Sequence, residues 1–287
     1  MNARLVSRHE EVPLYGGTTN AGLVTRVGDT VRRPTRPTSA ATKALLDHLE
    51  RVGFEAAPRY LGVDDRGREV LSFIPGQAAI APYPDWAMTD EALISVAQLL
   101  RRYHDAVASF DPNGYRWPHP LPQRFNRGLI SHNDPNLDNV IFEDGRAVAL
   151  IDFDLASPGS VAWDVACCAR LWAPLREQCD TPVQLRRRSL ARLELFADAY
   201  GLSSEARAET VEAMAEAHHW CYVILRSAVA RGHEAFGLHW RGGGAPRAAR
   251  TQRWLATHAP DLRAALRVEQ APINGGASTR AHHNAIK

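Results

Sequence analysis

Residues 130–154, ISHNDPNLDNVIFEDGRAVALIDFD, restrict the possible folds of this chain more than any other stretch. Residues 140–142 are β-branched and aromatic, as a strand prefers. Glu143-Asp144-Gly145-Arg146 is a turn, because Asp-Gly accepts the positive φ angles of a tight hairpin. Residues 147–151 then form the return strand. A two-residue loop of Asp144 and Gly145 sets Glu143 across from Arg146 and Asn139 across from Leu150. Asp152 follows one step beyond, at the open end of the hairpin, and Asp134 sits on the loop entering the first strand. Three oxygen-bearing side chains, Asp134, Asn139 and Asp152, are therefore expected at one spot.

That trio matches the needs of phosphoryl transfer from ATP. One Asp accepts or orients the acceptor hydroxyl, while an Asn and a second Asp hold Mg²⁺ against the phosphates. His132-x-Asp134-x-x-x-x-Asn139 has the spacing of a kinase catalytic loop, and Ile151-Asp152-Phe153 stands where the metal-binding D-F-G would. The competing readings are a surface hairpin of solvated acids and a metal-dependent hydrolase built on His132, Asp134, Asp152 and Asp154. The hydrolase leaves Asn139 without a task.

With His132-Asn133-Asp134-Pro135-Asn136-Leu137-Asp138-Asn139-Val140 and Leu150-Ile151-Asp152-Phe153, the chain resembles the aminoglycoside phosphotransferase and choline kinase family of small-molecule phosphotransferases. The resemblance implies a two-lobed α+β, protein-kinase-like fold: a β-rich nucleotide-binding lobe over residues 1–75 and a mainly helical catalytic and acceptor-binding lobe over 76–267. It implies an architectural His132 and a structural Asp164 that braces the catalytic loop. A protein kinase fits less well. Position 133 is Asn rather than Arg, and the eleven residues between Asp152 and Asp164 are too few for a long phosphorylatable loop. A small-molecule hydroxyl acceptor is expected instead.

The composition agrees with a globular protein of 287 residues, 45% hydrophobic and 23% charged. A net charge of +2 offers no global electrostatic case for nucleic acid. No apolar run approaches the ~18 residues of a membrane span, and residues 1–8 lack the apolar region of a signal peptide. Cys167, Cys168, Cys179 and Cys221 show no C-x-x-C spacing, so a reducing cytoplasm is expected. Oligomeric state is not legible.

In the first lobe Gly16-Gly17 is a bend before a strand pair, 23–27 and 30–33, joined at Gly28-Asp29. The resemblance makes this pair the roof over the nucleotide, with Gly16 and Gly17 permitting close approach of phosphates. The family's nucleotide-binding lysine has no counterpart. Arg33 is the expected substitute and Arg32 the alternative. The usual partner glutamate is also missing from the following helix, 42–52, where Asp47 and Glu50 are the only acids. Strands at 58–63 and 69–74 follow, and the resemblance implies that the backbone of Ser72, Phe73 and Ile74 would meet the adenine edge.

Beyond Asp90 the spacing of Leu93, Val96, Ala97, Leu100, Tyr103 and His104 predicts a helix, with His104 a hydrogen-bonded core residue. Helices are predicted at 161–173, 184–200, 205–230 and about 247–266, before a disordered tail at 268–287. Asp154 either joins the magnesium shell or caps the following turn. Glu205, Glu209, Glu212 and Glu216 form one stripe on the 205–230 helix. It is either a solvated face or, with Trp220, a wall for a cationic acceptor such as an amino sugar. The expected function is ATP- and Mg²⁺-dependent phosphotransfer. The missing lysine–glutamate pair keeps open an alternative, a catalytically weak nucleotide-binding regulatory or immunity protein of the same fold.

Overall fold

A computed structural model describes residues 10–14 and 22–268, so Gly16, Gly17 and nearly all of the expected tail lie outside the described residues. Five strands form an antiparallel sheet in the order β1 (Glu11–Pro13), β2 (Thr25–Val27), β3 (Thr30–Pro34), β5 (Arg68–Ser72), β4 (Tyr60–Val63). Gly28 turns β2 into β3 with φ +59°, a conformation glycine adopts without steric cost. Helix α1 (Ser39–Arg51) buries Leu45, Leu46 and Leu49. It starts three residues before the expected Thr42, because the hydroxyl of Ser39 accepts the Arg36 N–H at 2.8 Å and closes the turn early.

The chain then crosses to the second lobe through β6 (Gln77–Ala78), which pairs with β8 (Val140–Glu143), itself paired with β9 (Arg146–Leu150). Helix α2 (Asp90–Val107) is capped by the Thr89 hydroxyl, which accepts the Ala92 N–H at 3.1 Å. Its buried face carries Leu93, Val96, Ala97, Leu100 and Tyr103, as the spacing predicts. Strand β7 (Leu129–Ser131) pairs with β10 (Ser157–Gly159), on either side of the catalytic hairpin in sequence. Helices α3 (Val161–Trp172), α4 (Ser189–Tyr200), α5 (Ser204–Ala230), α6 (Glu234–His239), α7 (Ala245–Thr257) and α8 (Ala259–Ala265) complete the lobe. The single helix expected near 247–266 is broken at His258, because Pro260 starts a new helix in its first turn.

One apolar core joins Leu45 of α1 to Trp163 of α3 and Leu262 of α8, while α3 packs on α5 and α2 on α4. The architecture is the expected α+β arrangement, with an antiparallel sheet in the N-terminal part and helices in the C-terminal part. Among the described residues no helix is long and apolar enough to cross a membrane.

Candidate active site

The hairpin turns on Asp144 and Gly145, at φ +49° and +74°, and Glu143 faces Arg146 as expected. The expected pairing of Asn139 with Leu150 is off by one. A bulge between Ile141 and Phe142 leaves Val148 unpaired, so Leu150 faces Val140. The Ile151 N–H then donates to the Asn139 carbonyl at 2.9 Å.

The loop before β8 is held from below. Asp164, fully buried at the start of α3, accepts the backbone N–H groups of His132 and Asn133 at 2.7 and 2.8 Å. It also meets His104 Nε2 at 2.9 Å, and Tyr200 holds the other His104 nitrogen at 2.6 Å. His132 donates from Nε2 to the Ile151 carbonyl at 3.1 Å and packs on Phe153, with ring centroids 4.7 Å apart. Burial pushes its pKa down, so the ring is neutral. The two histidines tie the loop to α2 and to the end of the hairpin.

Asp134, Asn139 and Asp152 line one cavity of about 1230 Å³. Asn139 Nδ2 donates to the Asp134 carbonyl at 2.9 Å and to its Oδ2 at 3.1 Å, and Asn136 Nδ2 donates to Oδ1. Both carboxylate oxygens are therefore oriented by amides. Burial, reinforced by the neighbouring Asp152, pushes the Asp134 pKa well above the usual carboxylate range. Asp152 adopts a left-handed backbone conformation at φ +60°, ψ +70°, a strain often met at functional sites. Burial and Asp154 raise its pKa to about 7, against the pull of Arg33 and Arg36.

Asp152 Oδ1 is buried without a hydrogen-bond partner, and Asn139 Nδ2 is committed to Asp134, so the donors a cation would take here are the Asp152 carboxylate and the Asn139 amide oxygen. Among the described residues no three His, Cys, Asp or Glu side chains form a metal site on their own. Mg²⁺ ordinarily takes one or two protein ligands and completes its shell with phosphate and water. Asp152 and Asn139 fit that pattern.

Arg33 and Arg32 separate by strand alternation. Arg32 donates to Thr30 Oγ1 at 2.6 Å and lies 3.6 Å from Asp64. Arg33 faces the catalytic loop, where Nε donates to Glu69 at 2.7 Å and Nη1 to Asp154 at 2.8 Å, with Asp152 3.9 Å away. The partner glutamate missing from α1 is thus supplied by β5, because Glu69 is the cross-strand neighbour of Arg33. Arg33, expected to grip phosphate, is buried between the Glu69 and Asp154 carboxylates and is not among the residues lining the cavity. Arg36 does line it, 3.0 Å from Asp154. Asp154 is accordingly neither a simple turn cap nor an uncommitted carboxylate, since it binds both arginines. Sequence reading missed Arg36 because it sits in a proline-flanked segment that looks like a linker.

Ser72, Phe73 and Ile74 do not line the cavity. The N–H groups of Ser72 and Phe73 donate to the carbonyls of Arg59 and Asp29 at 2.9 and 2.8 Å, as the sheet requires. Glu212, Glu216 and Trp220 also lie outside it. Glu212 and Glu216 both meet Arg124, Glu209 meets Arg127 at 2.7 Å, and Trp220 donates to the Pro120 carbonyl at 3.1 Å. The acidic stripe is neutralised by the segment before β7, not turned to the cleft. The opposite face of α5 divides: Val211 and Met214 are in the core, while His218, Cys221, Tyr222 and Leu225 line the cavity.

Comparison with known proteins places this site in context. A model described as the phosphotransferase enzyme family matches residues 115–200, the span holding the catalytic loop and hairpin. The trifolitoxin immunity protein of Rhizobium leguminosarum bv. trifolii is 32% identical over 273 residues, covering 90% of this chain and 99% of that protein. Among solved structures, a choline/ethanolamine kinase family protein from Mesorhizobium loti superposes with a TM-score of 0.58 at 18% identity, covering 92% of this chain and 94% of that one. The GDP complex of aminoglycoside 2'-phosphotransferase-IIIa superposes with a TM-score of 0.53 at 14% identity, covering 92% and 94%. At these identities the two structures speak for the fold.

Proposed function

The chain belongs to the aminoglycoside phosphotransferase and choline kinase family, and from that premise we propose that it moves the γ-phosphate of ATP to a hydroxyl of a small molecule. Asp134 orients the acceptor hydroxyl and takes its proton as the new O–P bond forms and the bond to the β-phosphate breaks, releasing ADP. Its raised pKa makes it a stronger base than an ordinary carboxylate, as the task requires. Asn136 and Asn139 keep both of its oxygens in place. Asn139 and Asp152 would hold Mg²⁺, which when bound neutralises charge on the phosphates. Arg36 presents a guanidinium to the same cavity and is our candidate for a phosphate contact, while Arg33 positions the loop carrying Asp152 and Asp154. Dependence on ATP suits the cytoplasm.

The observation that supports this reading best is the pairing of two differently prepared carboxylates on one cavity wall. Asp134 has both oxygens held by amides, whereas Asp152 has a buried oxygen with no partner. The test is a pair of substitutions. Asp152→Asn removes the metal-binding charge, so turnover should vanish and Mg·ATP affinity should fall about tenfold or more. Asp134→Ala should lower kcat by about 10²–10⁴-fold with KM for ATP nearly unchanged. Unaltered turnover in Asp152→Asn would overturn the proposal.

The immunity-protein relative favours a second reading, a nucleotide-binding protein with little transfer activity. It predicts Mg·ATP binding that depends on Asp152, without turnover on any acceptor.

A further inference from the structure

The charges lining the cavity are divided by origin. Every lining carboxylate, Asp134, Asp138, Asp152 and Asp154, comes from the catalytic loop and hairpin. The wall built from α3 onward contributes Arg170, Arg176, Arg231 and Arg247, together with three histidines and no carboxylate. Arg116 adds a further cation from the loop after α2. Electrostatically, this is the reverse of a pocket for an amino sugar.

Two of these arginines are poorly satisfied within the protein. Arg170 donates from Nη2 to Cys221 Sγ at 3.1 Å, but its Nε is buried without a partner. Arg176 Nε is likewise buried and unpartnered. Among the described residues neither guanidinium has a carboxylate within ion-pair distance, whereas Arg36 and Arg247 have Asp154 and Asp180 at 3.0 and 3.7 Å. A buried guanidinium N–H left without an acceptor is costly. The guanidinium fork matches a carboxylate or phosphate in two parallel hydrogen bonds. An ammonium at the same wall would meet like charge.

Resting on the phosphotransferase reading, we propose that the acceptor is an acid: a small hydroxyl-bearing molecule whose carboxylate or phosphate docks on Arg170 and Arg176 while its hydroxyl meets Asp134. Arg170 and Asp134 line the same cavity and their charges interact, which suits one small molecule bridging both groups. The acceptor specificity is thereby set by α3 and the segment after it, not by the acidic stripe of α5.

Matched hexoses isolate the charge. Binding of glucose 6-phosphate, gluconate, glucose and glucosamine is measured by calorimetry on the full chain loaded with Mg·ADP. At least one of the two anions should bind about tenfold more tightly than glucose, and glucosamine more weakly than glucose. Whichever anion binds tells phosphate from carboxylate. Arg170→Gln and Arg176→Gln should each weaken the anion about tenfold, Arg176→Lys should retain part of the affinity, and added salt should weaken it further. Melting curves verify that each variant is folded. Binding that ignores charge, favours glucosamine or is absent for all four sugars overturns the proposal. So does an Arg176→Gln variant that loses ATP affinity and keeps the anion, since the arginines would then serve the nucleotide. The underlying phosphotransferase reading is assayed separately by slow ATP hydrolysis and its loss in Asp152→Asn, so either can fail alone.

Discussion

Asp164 is one residue away from Trp163, whose indole donates to Asn133 at 3.0 Å, and together they anchor the left-handed turn at Asn133, φ +67°. Asp164→Ala would leave the His132 and Asn133 N–H groups and His104 Nε2 without their acceptor in a fully buried site. Loss of one partner from a buried charged network costs about 3–5 kcal/mol. A fall of that size in the unfolding free energy from urea titration is expected, with Asp164→Asn milder because its amide oxygen can still accept. The aspartate's role was implied by the family resemblance. The chain of His104 and Tyr200 behind it was not, since those residues lie 60 and 96 positions apart from their partners.

At the scale of elements, the crossing between lobes depends on Gly76. It adopts φ +128°, and a Cβ there would stand 2.5 Å from Ile141 Cγ2 and 2.6 Å from the Phe142 carbonyl. β6 can pair with β8 only because that side chain is absent. Gly76→Ala should therefore destabilise the fold by about 2–4 kcal/mol through overpacking and backbone strain, read as a lowered unfolding midpoint. The hairpin turn was readable from Asp-Gly. The bulge at Val148 was not, because an extra β-branched residue fits either register until the partner strand selects one. For α5 the acidic stripe was readable, but what it faced depended on Arg124 and Arg127 in the segment packed against it.

Over the whole molecule, buried titratable groups pull stability in opposite directions. Burial lowers His218 to about 4 and holds His132 below its usual value. Below about pH 6.5 the unfolded chain takes up these protons first, so stability present above that pH is lost as pH falls. Asp152, raised to about 7, does the reverse: its contribution is present below about pH 4 and is lost as pH rises towards 7. Melting temperature should decline on the acid side, with a shallower decline in His218→Gln. Because a cation binds the charged carboxylate, the melting shift produced by Mg·ATP should grow from about pH 6 to about pH 8 and vanish in Asp152→Asn. A shift independent of pH would contradict Asp152 as the metal-binding group.

Local chemistry determined much of this protein by itself. The hairpin turn, the helix periods, and the identity of Asp134, Asn139 and Asp152 as one cavity's oxygen donors follow from short-range spacing, where backbone geometry leaves few choices. Only the tertiary structure decided that Glu69 rather than a helix residue partners Arg33, and that Arg36 reaches the cavity. It also turned the glutamates of α5 towards Arg124 and Arg127, and brought Arg170 and Arg176 to the cavity wall. Each of these is a question of which distant charge lies opposite, and a chain resolves it only when separate elements pack and long-range ion pairs select their partners.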